Sequence, residues 1–215
     1  MFALLRDLDT QKYTHRTYVV SSGDAFSAQR AAAFERELEE RATSKRSEEQ
    51  EKGVGKPGPM PRIAPTGQTE GKRRQEAKHH VGPRHYTIAT IPRARRVHQP
   101  LYTTPFSALQ TLLSAFSLFL STSGPDHLAL PNLVVTNGPA TAVIVVLAAF
   151  ILRFFNIRGA ESESLCRTVY VESFARVKTL SLSGKLLVRV VDRFLVQWEE
   201  LEGYAGRAEY CGILV

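Results

Sequence analysis

The sequence predicts an α/β fold built on a parallel, doubly wound sheet, and three observations carry that expectation. Short runs of β-branched and aromatic residues recur at 18–20, 86–91, 133–136, 168–171 and 194–197. Segments with helical spacing of apolar residues alternate with them, the order that makes successive strands parallel. The chain has 215 residues and is 43% hydrophobic, enough for one core, with its length favouring one domain plus excursions.

The elements follow in order. Phe2, Leu4, Leu5 and Leu8 have helical spacing and predict an opening helix. Tyr18, Val19 and Val20 form a strand that ends in the turn set Ser21, Ser22, Gly23 and Asp24. Asp24 is placed to cap a helix through Phe26, Ala33, Phe34 and Leu38, which is expected to dissolve at Glu39, Glu40 and Arg41. Residues 43–80 carry Lys, Arg, Glu, Gly and Pro with hardly any large apolar side chain. Such a segment cannot offset the entropy of ordering itself, so a disordered insertion is expected there. The layout is therefore 1–42 as the start of the sheet domain, 43–80 as the insertion and 81–215 as its remainder.

Order resumes with a strand at 86–91, a loop over 92–105 and a helix entered at Pro105, a residue suited to the first turn. The strand at 133–136 turns at Asn137, Gly138 and Pro139 into an apolar helix over 140–152. A strand at 168–171 follows. Leu186, Leu187, Val190 and Val191 are expected on one helical face, before a last strand at 194–197 and an apolar tail.

Composition narrows the function classes. A net charge of +7 suits an anionic partner, whether nucleic acid, a phosphorylated lipid or a membrane face. The basic residues around 72–80 lack interleaved aromatics, so a solvated linker is the better reading and no nucleic-acid partner is expected. Cys166 and Cys211 have neither metal spacing nor a CxxC arrangement, and no metal or cofactor is expected. His79 and His80 do not change that. There is no GxGxxG, P-loop or nucleophile motif, which leaves a self-sufficient nucleotide-dependent enzyme without support. Residues 1–9 lack a basic region followed by a long apolar core, so secretion is not expected. The apolar run at 140–152 is shorter than the roughly 18 residues a membrane span requires. The helix from Pro105, with Phe106, Leu109, Leu112, Leu113, Phe116 and Leu120, suits either the sheet or a lipid interface.

In doubly wound sheets ligands sit beyond the carboxyl ends of the strands, here the loops that begin at Ser21, Pro92, Asn137 and Glu172. Five segments in and around these loops together resemble one family. They are Arg96-Val97-His98-Gln99 with Thr103-Thr104-Pro105-Phe106-Ser107, and Thr136-Asn137-Gly138-Pro139. Then come Tyr170-Val171-Glu172-Ser173 with Arg176-Val177, Thr179-Leu180-Ser181-Leu182-Ser183-Gly184-Lys185, and Val196-Gln197-Trp198. The family is the asparagine-linked glycosylation subunit that anchors the UDP-N-acetylglucosamine transferase to the endoplasmic reticulum. The resemblance covers roughly residues 1–38 and 81–215.

The resemblance implies a Rossmann-like sheet forming the acceptor-side half of a GT-B glycosyltransferase. A separate catalytic subunit completes it as a heterodimer that extends dolichyl-diphosphate-N-acetylglucosamine, on the cytosolic face of the endoplasmic reticulum membrane. This chain is then expected to hold no catalytic residue of its own. Family members begin with a membrane anchor, a first strand and a Gly-Gly-His-Thr loop that this sequence does not contain. The expectation is a fold with its first strand missing, a truncated start, and unpaired edges on the strands beside the gap.

Candidate site residues follow. Asn137, Gly138 and Pro139 are placed to present backbone amides to the acceptor diphosphate, although an ordinary strand-to-helix turn satisfies the same spacing. Glu172 and Ser173 end a strand at the same edge, where a carboxylate suits a sugar hydroxyl; a pair with Arg176 would account for Glu172 equally well. His98 follows the basic loop and faces the diphosphate or the membrane surface in this reading, a solvated loop being the alternative. Tyr210, Cys211, Gly212, Ile213, Leu214 and Val215 form a short apolar terminus expected to dock on the catalytic subunit, the alternative being a last strand or tail packed on this chain's own core.

Overall fold

Alternation of β-branched runs with amphipathic helices produces the expected parallel architecture. The computed structural model describes residues 4–53, 80–94, 104–121, 130–138 and 140–213. Strand β1 (Arg16–Ser21) is followed by helix α1 (Ala25–Gly53) and strand β2 (Tyr86–Ile91), and then by helix α2 (Thr104–Leu120). Strand β3 (Leu133–Asn137), helix α3 (Ala140–Phe154), strand β4 (Arg167–Val171) and helix α4 (Leu182–Leu187) come next. Strands β5 (Arg193–Val196) and β6 (Ala208–Tyr210) close the order.

All strand pairs are parallel, but they form two sheets, β1-β2 and β3-β4-β5-β6. Among the described residues β1 pairs only with β2, and β3 only with β4. Among those residues each sheet therefore keeps an open edge. The sheets approach one another where the Ser21 hydroxyl donates to Thr141 Oγ1 at 3.5 Å. Two apolar clusters hold the layers together. One joins Ile91 of β2, Ala115 and Phe119 of α2, and Val145 and Leu152 of α3. The other joins Val146 of α3 with Tyr170, Leu187, Phe194 and Leu201 around β4 and β5.

Several expectations are corrected. Residues 4–7 form a turn, with the Leu8 N–H donating to the Leu5 carbonyl, rather than a helix over Leu4, Leu5 and Leu8. Helix α1 does not dissolve at Arg41 but runs to Gly53, past the expected boundary at 42. The Glu37–Arg41 ion pair and hydroxyl bonds from Thr43 to the Glu39 carbonyl and from Ser44 to the Glu40 carbonyl lie along that extension. Its buried face is Ala31, Phe34, Glu35 and Leu38, while Phe26 and Ala33 are exposed. The rest of the proposed insertion, residues 54–79, lies outside the described residues.

Leu186 and Val190 also turn outward, leaving Leu187 and Val191 as the buried pair, because α4 ends at Leu187 and the chain tightens into turns. No described helix is long and apolar enough to cross a membrane.

Candidate functional site

Parallel strands bring their carboxyl ends to one edge, and the loops leaving that edge hold most of the groups singled out above. Asn137 closes β3 and is exposed. Gly138 follows at φ +97°, a conformation that strains L side chains. Its carbonyl accepts the Tyr170 hydroxyl at 3.2 Å, which ties the turn to β4. A Cβ placed on Gly138 would meet nothing within 4 Å, so the backbone lies open there. Helix α3 begins two residues later with no acidic residue in its first turn. Its free amides and dipole present a positive end to the same edge.

The Asp24 turn is built in a similar way. Asp24 accepts the Ser27 N–H at 3.1 Å and the Ser27 hydroxyl at 2.7 Å, the cap expected from the sequence. The Ser27 hydroxyl and N–H hold the Asp24 carboxyl below the usual carboxylate range.

Glu172 is 1% exposed. Its carboxylate accepts the Ser173 N–H at 2.8 Å, the Ser181 N–H at 3.1 Å and the Ser181 hydroxyl at 3.0 Å. The Glu172 carbonyl accepts Gln197 Nε2 at 2.8 Å. Ser181 in turn caps α4 by accepting the Gly184 N–H at 2.9 Å. Gly184 must be glycine for this approach, since a Cβ would fall 2.0 Å from Glu172 Oε2. The sequence alternative of a Glu172–Arg176 pair is not what forms: Arg176 gives its backbone N–H to the Ser173 carbonyl at 3.0 Å, and no described basic side chain forms an ion pair with Glu172. Burial, and to a smaller extent the Glu172 charge, raise the Tyr170 hydroxyl pKa, with the nearby Ser181 opposing them.

Asn137 and Gly138 thus stand beside Glu172 and Ser173 at one edge, with Ser173 exposed and Glu172 sealed beneath it. His98 and Pro139 lie outside the described residues, as do Leu214 and Val215. Of the expected partner-binding tail, Tyr210 ends β6 and the Cys211 N–H donates to the Val196 carbonyl at 3.3 Å, so its first residues belong to the sheet. Tyr210 and Ile213 remain exposed. Sequence reasoning assigned no role to Tyr170, Ser181 or Gly184. The Ser181-to-Gly184 spacing is the signal that identifies the cap. Among the described residues no cluster of three or more His, Cys, Asp or Glu could hold a metal.

Comparison with known proteins adds to this geometry. The sequence profile of the family described as "Oligosaccharide biosynthesis protein Alg14 like" matches residues 62–214. The chain is 37% identical to the UDP-N-acetylglucosamine transferase subunit alg14 of Aspergillus fumigatus, over 256 aligned positions covering all of both chains. It is 34% identical to the subunit of the same name from Cryptococcus neoformans, over 93% of this chain and 68% of that one. The human subunit of that name is 37% identical over 60% of this chain and 54% of its own length. No solved structure matches.

Proposed function

Because the chain belongs to the family of Alg14-like oligosaccharide biosynthesis proteins, we propose that it is the acceptor-side subunit of a UDP-N-acetylglucosamine transferase. In this reading it binds dolichyl-diphosphate-N-acetylglucosamine and recruits a separate catalytic subunit to the cytosolic face of the endoplasmic reticulum membrane. The second sugar of the lipid-linked oligosaccharide used in protein N-glycosylation is then added at the junction of the two subunits.

The observation that carries the acceptor role is the open backbone at Gly138, fixed by Tyr170 and continuous with the amino end of α3. An anionic diphosphate is stabilised by amides presented in that way. The Asn137 side chain supplies a further polar group, and Ser173 adds an exposed hydroxyl on the neighbouring loop. Glu172 acts by holding that loop through Ser173 and Ser181. The chain's own part is to bind and orient; it supplies no base in this reading.

Two exposed apolar rows favour contact with a lipid surface. Phe106, Leu109 and Leu113 line α2, while Leu147, Phe150 and Phe154 line α3, and the two helices pack against one another. Rows at that spacing suit an interface in the plane of a membrane. At the far edge of the sheet, exposed Tyr210 and Ile213 favour docking of the catalytic subunit against β6 and the tail.

The test is transfer of N-acetylglucosamine to a prenyl-diphosphate-N-acetylglucosamine by membranes containing this chain, the catalytic subunit, or both. Activity is expected only with both. Asn137→Ala should raise the acceptor KM by roughly tenfold with the UDP-N-acetylglucosamine KM unchanged, the loss expected for one hydrogen bond to a charged group. Turnover by this chain alone, or full activity of the catalytic subunit without it, overturns the assignment.

A further inference from the structure

The acceptor reading leaves a pair of aromatic side chains at the same edge without a role. Phe174 lies in the loop that leaves β4, and Trp198 lies just beyond β5. Their rings are 5.1 Å apart at an interplanar angle of 34°. The Trp198 indole N–H donates to the Phe174 carbonyl at 2.7 Å, which fastens one loop to the other. That bond occupies the polar edge of the indole and fixes the ring against Phe174, so that what the pair offers is apolar ring surface and not the indole N–H. Below the pair, Gln197 holds the Glu172 carbonyl, so both loops start from anchored residues. Phe174 is nevertheless 41% exposed. A rigid aromatic surface left open at the ligand-bearing edge of a parallel sheet is suited to receiving the flat, C–H-rich face of a pyranose ring.

Register supplies the second argument. Asn137 pairs with Val171, and Val171 pairs with Leu195, so the β3, β4 and β5 loops leave the edge from neighbouring positions. The open backbone at Gly138 and the loop bearing Trp198 are therefore two strand spacings apart, about 10 Å. An aminosugar joined to two phosphates spans a comparable length. With its diphosphate at Gly138 and the start of α3, the sugar reaches the aromatic pair across the exposed Ser173.

We propose that Phe174 and Trp198 form the platform on which the N-acetylglucosamine ring of the acceptor packs, and that this platform sets the preference for a sugar-bearing over a bare prenyl diphosphate. The inference rests on the acceptor reading above. It assigns the two ends of one ligand to different residues: charge to the Gly138 turn, sugar to the aromatic pair.

The experiment uses the two-subunit complex in membranes, with Phe174→Ala, Phe174→Tyr and Asn137→Ala variants. Bare prenyl diphosphate and prenyl-diphosphate-N-acetylglucosamine are compared as competitors of the transfer reaction. Phe174→Ala should weaken the sugar-bearing ligand about tenfold, leave the bare diphosphate within about twofold and restore with Phe174→Tyr. Asn137→Ala should weaken both ligands together. Equal losses for the two ligands in Phe174→Ala, or none, overturn the platform while Asn137→Ala still reports on the acceptor reading. No effect of Asn137→Ala on either ligand defeats the acceptor reading instead. Loss of the complex in Phe174→Ala and Phe174→Tyr alike overturns the platform in favour of an anchor for the catalytic subunit.

Discussion

Two buried glutamates, one in each sheet unit, are satisfied by opposite means. In the β1-β2 unit, Glu35 of α1 is 2% exposed and meets a cation: Arg16 Nε and Nη2 each donate to it at 2.7 Å, and the Tyr18 hydroxyl does so at 2.7 Å. Arg16 Nη1 spends its remaining protons on the carbonyls of Tyr13 and His80. Burial lowers the Arg16 pKa, and the Glu35 contacts outweigh it and raise it. In the β3–β6 unit, Glu172 is as deeply buried but is held by amides and a hydroxyl, with no described ion pair. The first arrangement is self-contained and joins strand to helix. The second depends on the conformation of a loop, and that loop borders the proposed ligand. A clamp belongs where nothing needs to bind, whereas a loop folded around a carboxylate shapes a surface.

The sharpest test of this contrast removes the carboxylate of the clamp. Glu35→Ala leaves the Arg16 guanidinium buried and unpaired, so a loss of about 3–5 kcal/mol is expected in urea unfolding. Folded material should retain its acceptor KM, since the clamp makes no contact with the carboxyl edge. A loss below about 1 kcal/mol would mean that the Arg16 contacts to Tyr13 and His80 suffice, and the clamp would lose its standing.

The next effect belongs to the loop. Gly184→Ala places a methyl group on the Glu172 carboxylate, an overpacking expected to cost about 1–3 kcal/mol. The double variant with Glu172→Ala should show less than the sum of the single losses, because the obstructing oxygen is gone. Additive losses would show that α4 and Glu172 are independent. Unlike Glu35→Ala, either single change should also raise the acceptor KM, through displacement of Ser173.

How much of this was legible in the sequence depends on the range of the forces involved. The strands at 18–20, 86–91, 133–136, 168–171 and 194–197 are local events, so β-branched runs reveal them to within a residue or two at either end. The Asp24 cap and the turn into α3 are equally local. What escaped were the contacts between segments distant in sequence. Glu35 lies on the buried face of α1 because Arg16 awaits it there, and polarity alone marks that position as exposed. Glu172 invites Arg176 by spacing, yet Ser181, nine residues on, takes it. Strand β6 has three residues and joins the sheet through β5, so composition leaves its end at Tyr210 open between a last strand and a docking tail. The Phe174–Trp198 pair is likewise invisible until β4 and β5 set their loops side by side.

The opposite, amino-terminal end of the β3–β6 sheet sharpens the comparison through pH. Asp192 accepts from Arg153 Nη1 at 2.8 Å, from Arg167 Nη1 at 2.8 Å, and from the Thr168 N–H and hydroxyl at 2.8 and 3.0 Å. Burial raises its pKa, but Thr168 and the two arginines prevail and hold it at about 2, against 3.8 for the free side chain. The folded value is the lower one, so the unfolded chain binds the proton more readily. The stabilisation is complete above about pH 4 and disappears as pH falls towards 2. Stability measured from pH 6 to 2 should decline less steeply in Asp192→Asn than in the parent chain. Parallel curves would assign the acid sensitivity to other carboxylates.

The smallest expected effect isolates the link between Glu172 and α4. Ser181→Ala removes the hydroxyl that donates to Glu172 and accepts from Gly184, while the Ser181 N–H still reaches the carboxylate. Loss of such a cap costs about 1 kcal/mol. The residue keeps one of its two bonds to Glu172, so the loop is expected to stay in place, with the amino end of α4 fraying first in hydrogen exchange. Increased exchange confined to residues 182–187 would make Ser181 a local cap. Spread of that exchange to Ser173 and Phe174 would mean that the hydroxyl holds the whole edge, and that the second region relies on one serine where the first relies on an ion pair.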